Sequence, residues 1–566
     1  MNKWLPDYWF LGQTEQVAVP DRVNANPPAI PHAQLLAGRA LGWKTQNDDR
    51  WGIASVLLMV KHYTSGNKVT AFVDGDSYTT SLERDLSALR GRSNNFVLMA
   101  GWQFSNSFRL NIAEQTSQLS DVIATLATNK VPTRALAFAN PIPFLRNVAF
   151  INAVNSANPP TGQPPQRSGH LDGAQGGFAF SHHQKQVFLG APRFDTCAAY
   201  VGGIDLANDR WDTMTHRKTT KDFEFFGWHD IQVKVEGNAL HALWANFAER
   251  WDSADRVLGK ARNPSYRLAP CPVPTHSDVS PGTQHVQVLR TVATAPSSDP
   301  DRFMPTGEMT VLAGLAKAIR NAECYIYIEE QYLWDCELAD LIGAQLQANP
   351  ALRLIVVLAA ESSLLPLMWT YNFHLRSEFL RRVMGVTTKD QIAFGPKTRV
   401  YVYGLYQTIE KAPKAVYVHS KLVIIDDRYV AIGSANVDRR SMRIETELTL
   451  GIVDATTVAS TLDGQAATVC KFAKDLRERL WSEHLNFIGP LPDDPIEALK
   501  NFPGGVVTPW RANSVYTWPI NEQEAKNSRR HHARCYVNIP GSDNVPVSIK
   551  RTLDRGERRW RSTSGA

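Results

Sequence analysis

Cysteine is scarce. Six (Cys197, Cys271, Cys324, Cys336, Cys470 and Cys535) are scattered over 566 residues with no CxxC pair. That excludes a disulfide scaffold and thiolate zinc modules, and leaves mostly buried free thiols compatible with a reducing compartment. Long apolar runs are missing too. The best, residues 53–60, stops at Lys61 and His62, well short of the roughly 20 residues of a membrane span. The opening MNKWLPDYWFLGQTEQVAVP is broken by Pro6 and Asp7 and lacks the apolar core of a Sec signal. The expectation is a chain that is cytoplasmic as synthesised, with any export by a non-Sec route. No Asp, Glu and His cluster shows metal-ligand spacing, so no metal and no cofactor is expected. Basic charge is missing from the body of the chain. The net charge is +6, yet residues 526–566 carry ten Lys/Arg against three Asp/Glu, so the remainder is close to neutral. A nucleic-acid enzyme would show basic stripes through its body. A basic tail suits an anionic membrane surface, an acidic partner or nucleic acid, and equally a solvated end.

What is present is a repeat. The length suits two large domains. In the first half, helical spacing over 78–89 leads to an apolar strand at 96–99, then a helix at 119–127 and a strand at 135–139. In the second, helical spacing over 311–319 leads to a strand at 325–328, a helix at 338–346 and a strand at 352–358. Helix and strand alternate, which predicts an α/β layer in each half, helices over a sheet. The proline-rich stretch 269–284 divides them. The resulting boundaries are 1–50, an N-terminal segment packing on the first domain; 51–268 and 285–490, the two domains; and 491–566, a basic extension.

Each half then reaches one His-x-Lys pair. The second reads VHSKLVIIDDRYVAIGSANVDRRSM over 418–442. His419 and Lys421 are two apart, on one side of an extended chain. Four apolar residues follow, then Asp426, and a second short strand ending in Gly433, Ser434 and Asn436. An imidazole, an ammonium, a hydroxyl and an amide all suit a phosphate oxyanion. The first reads His183, Lys185, an apolar run, then Gly202, Gly203 and Asp205, with Gly190 where the second has Asp426. Alone, His-x-Lys is a common surface strand; the pattern gains weight by occurring twice.

These segments resemble the paired HxKxxxxD motifs of the phospholipase D superfamily, eukaryotic-type enzymes and their bacterial relatives included. The resemblance implies two similar α/β sandwich domains about a pseudo-twofold axis, with the active site at their interface. It implies His183 as nucleophile, forming a phosphohistidine, and His419 as general acid and then base. Lys185 and Lys421 would bind phosphoryl oxygens with Ser434 and Asn436, and Asp205 would stand in the place of Asn436. Asp230, in the Trp-His-Asp segment, and Glu447 would each hydrogen-bond the imidazole of its own half. Asp426 completes the second motif, and Gly190 puts the competence of the first in question.

Fold alone does not choose a substrate. Both motifs in one chain, and the SHHQK, GGIDL and GSANVDRRSM strings, look like phospholipases D. Release of phosphatidic acid and a head-group alcohol at a phospholipid surface is therefore expected, with head-group exchange when an alcohol replaces water. The alternatives are a nuclease and a phosphatidyltransferase of the cardiolipin synthase kind. Some bacterial relatives are toxins delivered by type VI secretion, which brings a secretion-system or immunity partner into view. Otherwise a peripheral monomer is expected.

Overall fold

The computed structural model describes residues 6–11, 16–18, 29–31, 63–111, 117–139, 144–173, 181–216, 227–260, 264–275, 277, 279–293, 307–359, 366–388, 391–409, 412–485, 490–500 and 514–517. The architecture is mixed α/β. The apolar stretch 53–60, Cys535 and the basic tail lie outside these residues. Among the described residues, no helix is long and apolar enough to cross a membrane.

Two sheets share one plan. The first half contributes Thr64–Val73 (β1), Phe96–Gly101 (β2), Thr133–Phe138 (β3), Gly169–Asp172 (β4), Gln186–Gly190 (β5), Ala198–Gly202 (β6), a short Trp228–His229 strand (β7) and Ile231–Glu236 (β8). Its sheet runs β1-β8-β6-β5-β2-β3-β4, antiparallel as far as β2 and parallel beyond. The second half contributes Gln284–Val292 (β9), Tyr325–Glu330 (β10), Arg353–Leu358 (β11), Val400–Ile409 (β12), Tyr417–Val418 (β13), Leu422–Ile425 (β14), Tyr429–Gly433 (β15) and Glu447–Asp454 (β16). The order β9-β16-β15-β14-β10-β11-β12 repeats the first strand for strand, in order and direction. The sheets meet where β1 pairs with β9, Asn67 opposite Gln284.

The parallel steps need crossovers, and helices supply them. They are Leu119–Thr128 (α2) and Phe144–Ala157 (α3) in the first half, and Cys336–Ala348 (α6) and Pro366–Val383 (α7) in the second. Gly75–Ala88 (α1) and Thr310–Arg320 (α5) occupy matching places, and Leu240–Gly259 (α4) and Lys471–His484 (α8) follow the last strand of each sheet. Central strands β2, β5, β10, β14 and β15 are buried throughout, as apolar runs covered on both faces should be.

The N-terminal segment corrects an expectation. Its described residues 6–11 pack mainly on the second half. Trp9 stacks on Tyr429 with ring centroids 5.8 Å apart. Gln287 brackets Leu11, accepting from its N–H and donating to its carbonyl, and Lys317 and Asn321 of the α5 region donate to Phe10 and Tyr8 carbonyls. The proline-rich stretch is docked on the first half: Thr275 N donates to Pro192 O at 2.8 Å.

Candidate active site

The two motif histidines sit just ahead of β5 and β14, and each is strapped to the opposite half. His183 N donates to Thr446 O (2.9 Å) and Thr446 N to Ser181 O (2.9 Å). His419 N donates to His229 O (2.7 Å) and Tyr417 N to Gly227 O (2.8 Å). One two-bond ladder is used twice. It carries each imidazole past its own sheet to the residue after the strap: Glu447 for His183, Asp230 for His419.

The carboxylates are therefore exchanged, and the own-half pairing expected from the sequence is wrong. His183 Nδ1 lies 3.0 Å from Glu447 Oε1 and 2.9 Å from Ser434 O. His419 Nδ1 lies 2.6 Å from Asp230 Oδ2. The cause is the backbone: a histidine whose strand end crosses to the other half meets that half's acid. Facing two acceptors, His183 Nδ1 must carry the proton, which leaves Nε2 with its lone pair for chemistry. Asp230 reaches its place because Gly203 has no side chain; a Cβ there would lie 2.0 Å from Asp230 Oδ1. At the equivalent position in the second half stands Ser434, whose hydroxyl donates to Glu447.

Each lysine folds back on its own histidine. Lys185 Nζ donates to His183 O at 2.9 Å, and Lys421 Nζ to His419 O. Asp205 Oδ2 stands 3.4 Å from Lys185, and Gln331 accepts from Lys421 at 3.3 Å. The pairs share one electrostatic environment. Burial and the ammonium of Lys185 hold His183 well below the ordinary imidazole range. Burial, Lys421 and Arg210 do the same to His419. Burial lifts Glu447 to about 7 and Asp230 to about 6, and lowers Lys421 to about 8. A nucleophile paired with a general acid calls for two imidazoles pushed apart. The protein pushes both down, because the halves surround them alike. A phosphodiester anion between the lysines is the charge that would raise one of them.

The remaining expected residues divide. Asp426 is at the far end of β14, about 16 Å of extended chain from Lys421. It accepts from the peptide N–H groups of Glu323, Cys324 and Tyr325 at 2.7–2.8 Å. It anchors the start of β10 and does not belong to the chemistry. Its counterpart Gly190 is filled: a Cβ there would sit 2.1 Å from the Phe96 ring, which stacks on Phe188. Aromatic packing has replaced the carboxylate. Asp205 accepts from Trp102 N and Gln103 N at 2.9 and 3.2 Å, as Glu330 does from Gln331 N and Tyr332 N. Its neighbour across the contact is Gly101, where the second half has Glu330, which accepts from Val437 N. The carboxylate has changed sides, so Asp205 holds a loop and Lys185 and is not a stand-in for Asn436. Ser434 is spent on Glu447 and Leu448 N. Asn436, buried with no hydrogen-bond partner at its Oδ1, stays available.

Sequence reasoning missed four contributors. Gln331 faces Lys421, Trp102 is edge-on to His183 at 6.5 Å, and Trp228 lies 4.8 Å from His419 with the Arg210 guanidinium 4.2 Å over its ring. Trp228 opens the Trp-His-Asp segment and Gln331 follows a strand the repeat aligned, which was the signal available for them.

The family model for phospholipase D matches residues 152–338 and 397–500, more than half of the chain. The chain is 25% identical over 386 residues to phospholipase D A of Dictyostelium discoideum, covering 57% of this chain and 28% of that protein. It is 26% identical to phospholipase D gamma 1 of Arabidopsis thaliana, covering 55% and 48%, and 29% identical to human phospholipase D1, covering 48% and 28%. It spans about half the length of these relatives or less. Two strapped histidine–lysine pairs and a family match over both motif regions lead to one conclusion: this chain belongs to the phospholipase D family.

Proposed function

We propose that the chain hydrolyses the distal phosphodiester of glycerophospholipids, giving phosphatidic acid and the head-group alcohol. His183 Nε2 attacks phosphorus and the P–O bond to the head group breaks, leaving a phosphohistidine. His419, protonated once the substrate's negative charge is bound, gives its proton to the departing alkoxide. His419 then takes a proton from water as the water attacks phosphorus and frees His183. Glu447 and Asp230 orient the imidazoles and support their positive charge. Lys185, Lys421 and Asn436 cover the non-bridging oxygens. An alcohol in place of water gives head-group exchange.

The observation that supports this reading is the exchanged strapping, with each lysine close enough to act on the imidazole of the other half. The test is a panel of phosphatidylcholine, phosphatidylethanolamine and phosphatidylglycerol vesicles beside single- and double-stranded DNA. Head-group release by the wild type, lost in His183→Ala and His419→Ala, supports the proposal. DNA cleavage without lipid turnover overturns it in favour of a nuclease.

A further inference from the structure

Behind the catalytic pair lies a second cluster that the mechanism does not use. Asp74 follows β1, His216 ends a turn, His229 is in β7 and Glu483 is near the end of α8. All four are more than nine-tenths buried. Each offers one ligand atom, and the four atoms lie within 4.8 Å of one another. His229 Nδ1 is 3.1 Å from Asp74 Oδ1 and 3.1 Å from Glu483 Oε1, and His216 Nε2 is 3.4 Å from Glu483 Oε1. Yet Asp74 Oδ2, His216 Nε2 and Glu483 Oε1 have no aligned hydrogen-bond partner. His229 Nδ1 and Asp74 Oδ1 form a hydrogen bond, while His216 Nε2 and Glu483 Oε1 meet only at ion-pair distance.

The opposite ring nitrogens explain why this matters. His229 Nε2 faces Glu329 Oε2 at 3.0 Å, and His216 Nδ1 faces Asp212 Oδ2 at 3.3 Å. Glu329 is itself fixed by Tyr327, Ser420 and His484, and Asp212 accepts from Trp228 N. A neutral imidazole that donates to an outer carboxylate presents a lone pair on its other nitrogen. Here both lone pairs would point at carboxylates, which is repulsive unless a cation lies between. Two extra protons, or one divalent ion of the same charge, would resolve it. Among the described residues, no lysine or arginine forms an ion pair with these four acids. At the corresponding junction of the repeat, the buried Glu249 of α4 and Glu308 of the second half close on the guanidinium of Arg290, one residue before the strand position that matches Asp74.

We propose that Asp74, His216, His229 and Glu483 bind one divalent first-row transition ion, zinc being the best match to two imidazoles and two carboxylates. Both imidazoles already have the outer carboxylate that such ligands characteristically carry. The set is complete and buried, so its role is structural. It ties the β1–α1 corner to α8 of the other half, beneath the backbone that bears Asp230 and accepts from His419 N. This replaces the expectation of no metal. Ligands at 74, 216, 229 and 483 have no spacing for a sequence to show.

The test is metal analysis of the full-length wild type after zinc loading and exhaustive dialysis, with cobalt substitution as a second readout. About one equivalent of retained zinc, visible absorption bands of tetrahedral cobalt and a lower melting temperature in a strong chelator are expected. His216→Ala and Glu483→Gln should each weaken zinc binding more than tenfold. Should a variant fail to fold, wild-type stoichiometry and the cobalt spectrum decide alone. Less than about a tenth of an equivalent, with melting indifferent to zinc and chelator, overturns the proposal and leaves a doubly protonated imidazole–carboxylate network. None of these readouts depends on the lipid reaction.

Discussion

Restoring the missing motif aspartate by Gly190→Asp should damage the protein. If Gly190 marked a decaying first half, the substitution would raise turnover. The structure argues the reverse. A Cβ at 190 lies 2.1–2.5 Å from three Phe96 ring atoms, and Phe96 is 2% exposed and stacked on Phe188. Overpacking of this kind costs about 1–3 kcal/mol. A carboxyl buried against an aromatic face, without the three peptide N–H groups that receive Asp426, adds at least another ~1–3 kcal/mol. The total, about 4 kcal/mol, is a large share of the ~5–15 kcal/mol that holds a domain folded. Urea unfolding followed by tryptophan fluorescence should show the first transition moved to lower denaturant, with turnover per folded molecule unchanged or reduced. Phe96→Ala removes the obstructing ring, so Gly190→Asp should cost at least about 1 kcal/mol less in that background. A Gly190→Asp protein as stable as wild type and more active would refute the account of Phe96 as the replacement.

The exchanged pairing separates two variants by leaving group. Asp230→Asn impairs His419, the acid, and Glu447→Gln impairs His183, the nucleophile, each by about 100-fold or more on a natural lipid. With a p-nitrophenyl phosphodiester, whose leaving group needs no proton, the first-turnover burst of Asp230→Asn should recover at least about tenfold more than that of Glu447→Gln; own-half pairing would give the opposite. Activity against pH should be bell-shaped. It rises as Glu447 ionises near 7 and falls as Lys421 loses its proton near 8, and Lys421→Arg should shift the alkaline limb upward even at reduced turnover. Stability follows the same carboxyl with a definite sign. Glu447 is raised on folding from 4.5 to about 7, so its contribution is present below pH 4.5 and lost as pH climbs through 7. Glu447→Gln should therefore be more stable than wild type at pH 8, by on the order of 2–3 kcal/mol, in a thermal or urea melt.

The sequence alone determined the local pieces. Short apolar runs placed the strands around 96, 135, 325 and 352, and helical spacing placed the helices around 119, 311 and 338, because both are properties of neighbouring residues. The twofold His-x-Lys pattern exposed the repeat, and a repeat of αβ units implies two sheets of one plan. Tertiary structure alone decided which carboxylate serves which histidine. That depends on the straps at Thr446 and His229, long-range backbone bonds with no local signal. It also decided that Phe96 substitutes for an aspartate at 190, that Asp205 and Glu330 exchange places across a contact, and that the N-terminal aromatics settle on Tyr429. Each is a matter of which atoms share space, and residues hundreds of positions apart come to share it only when the sheets have assembled.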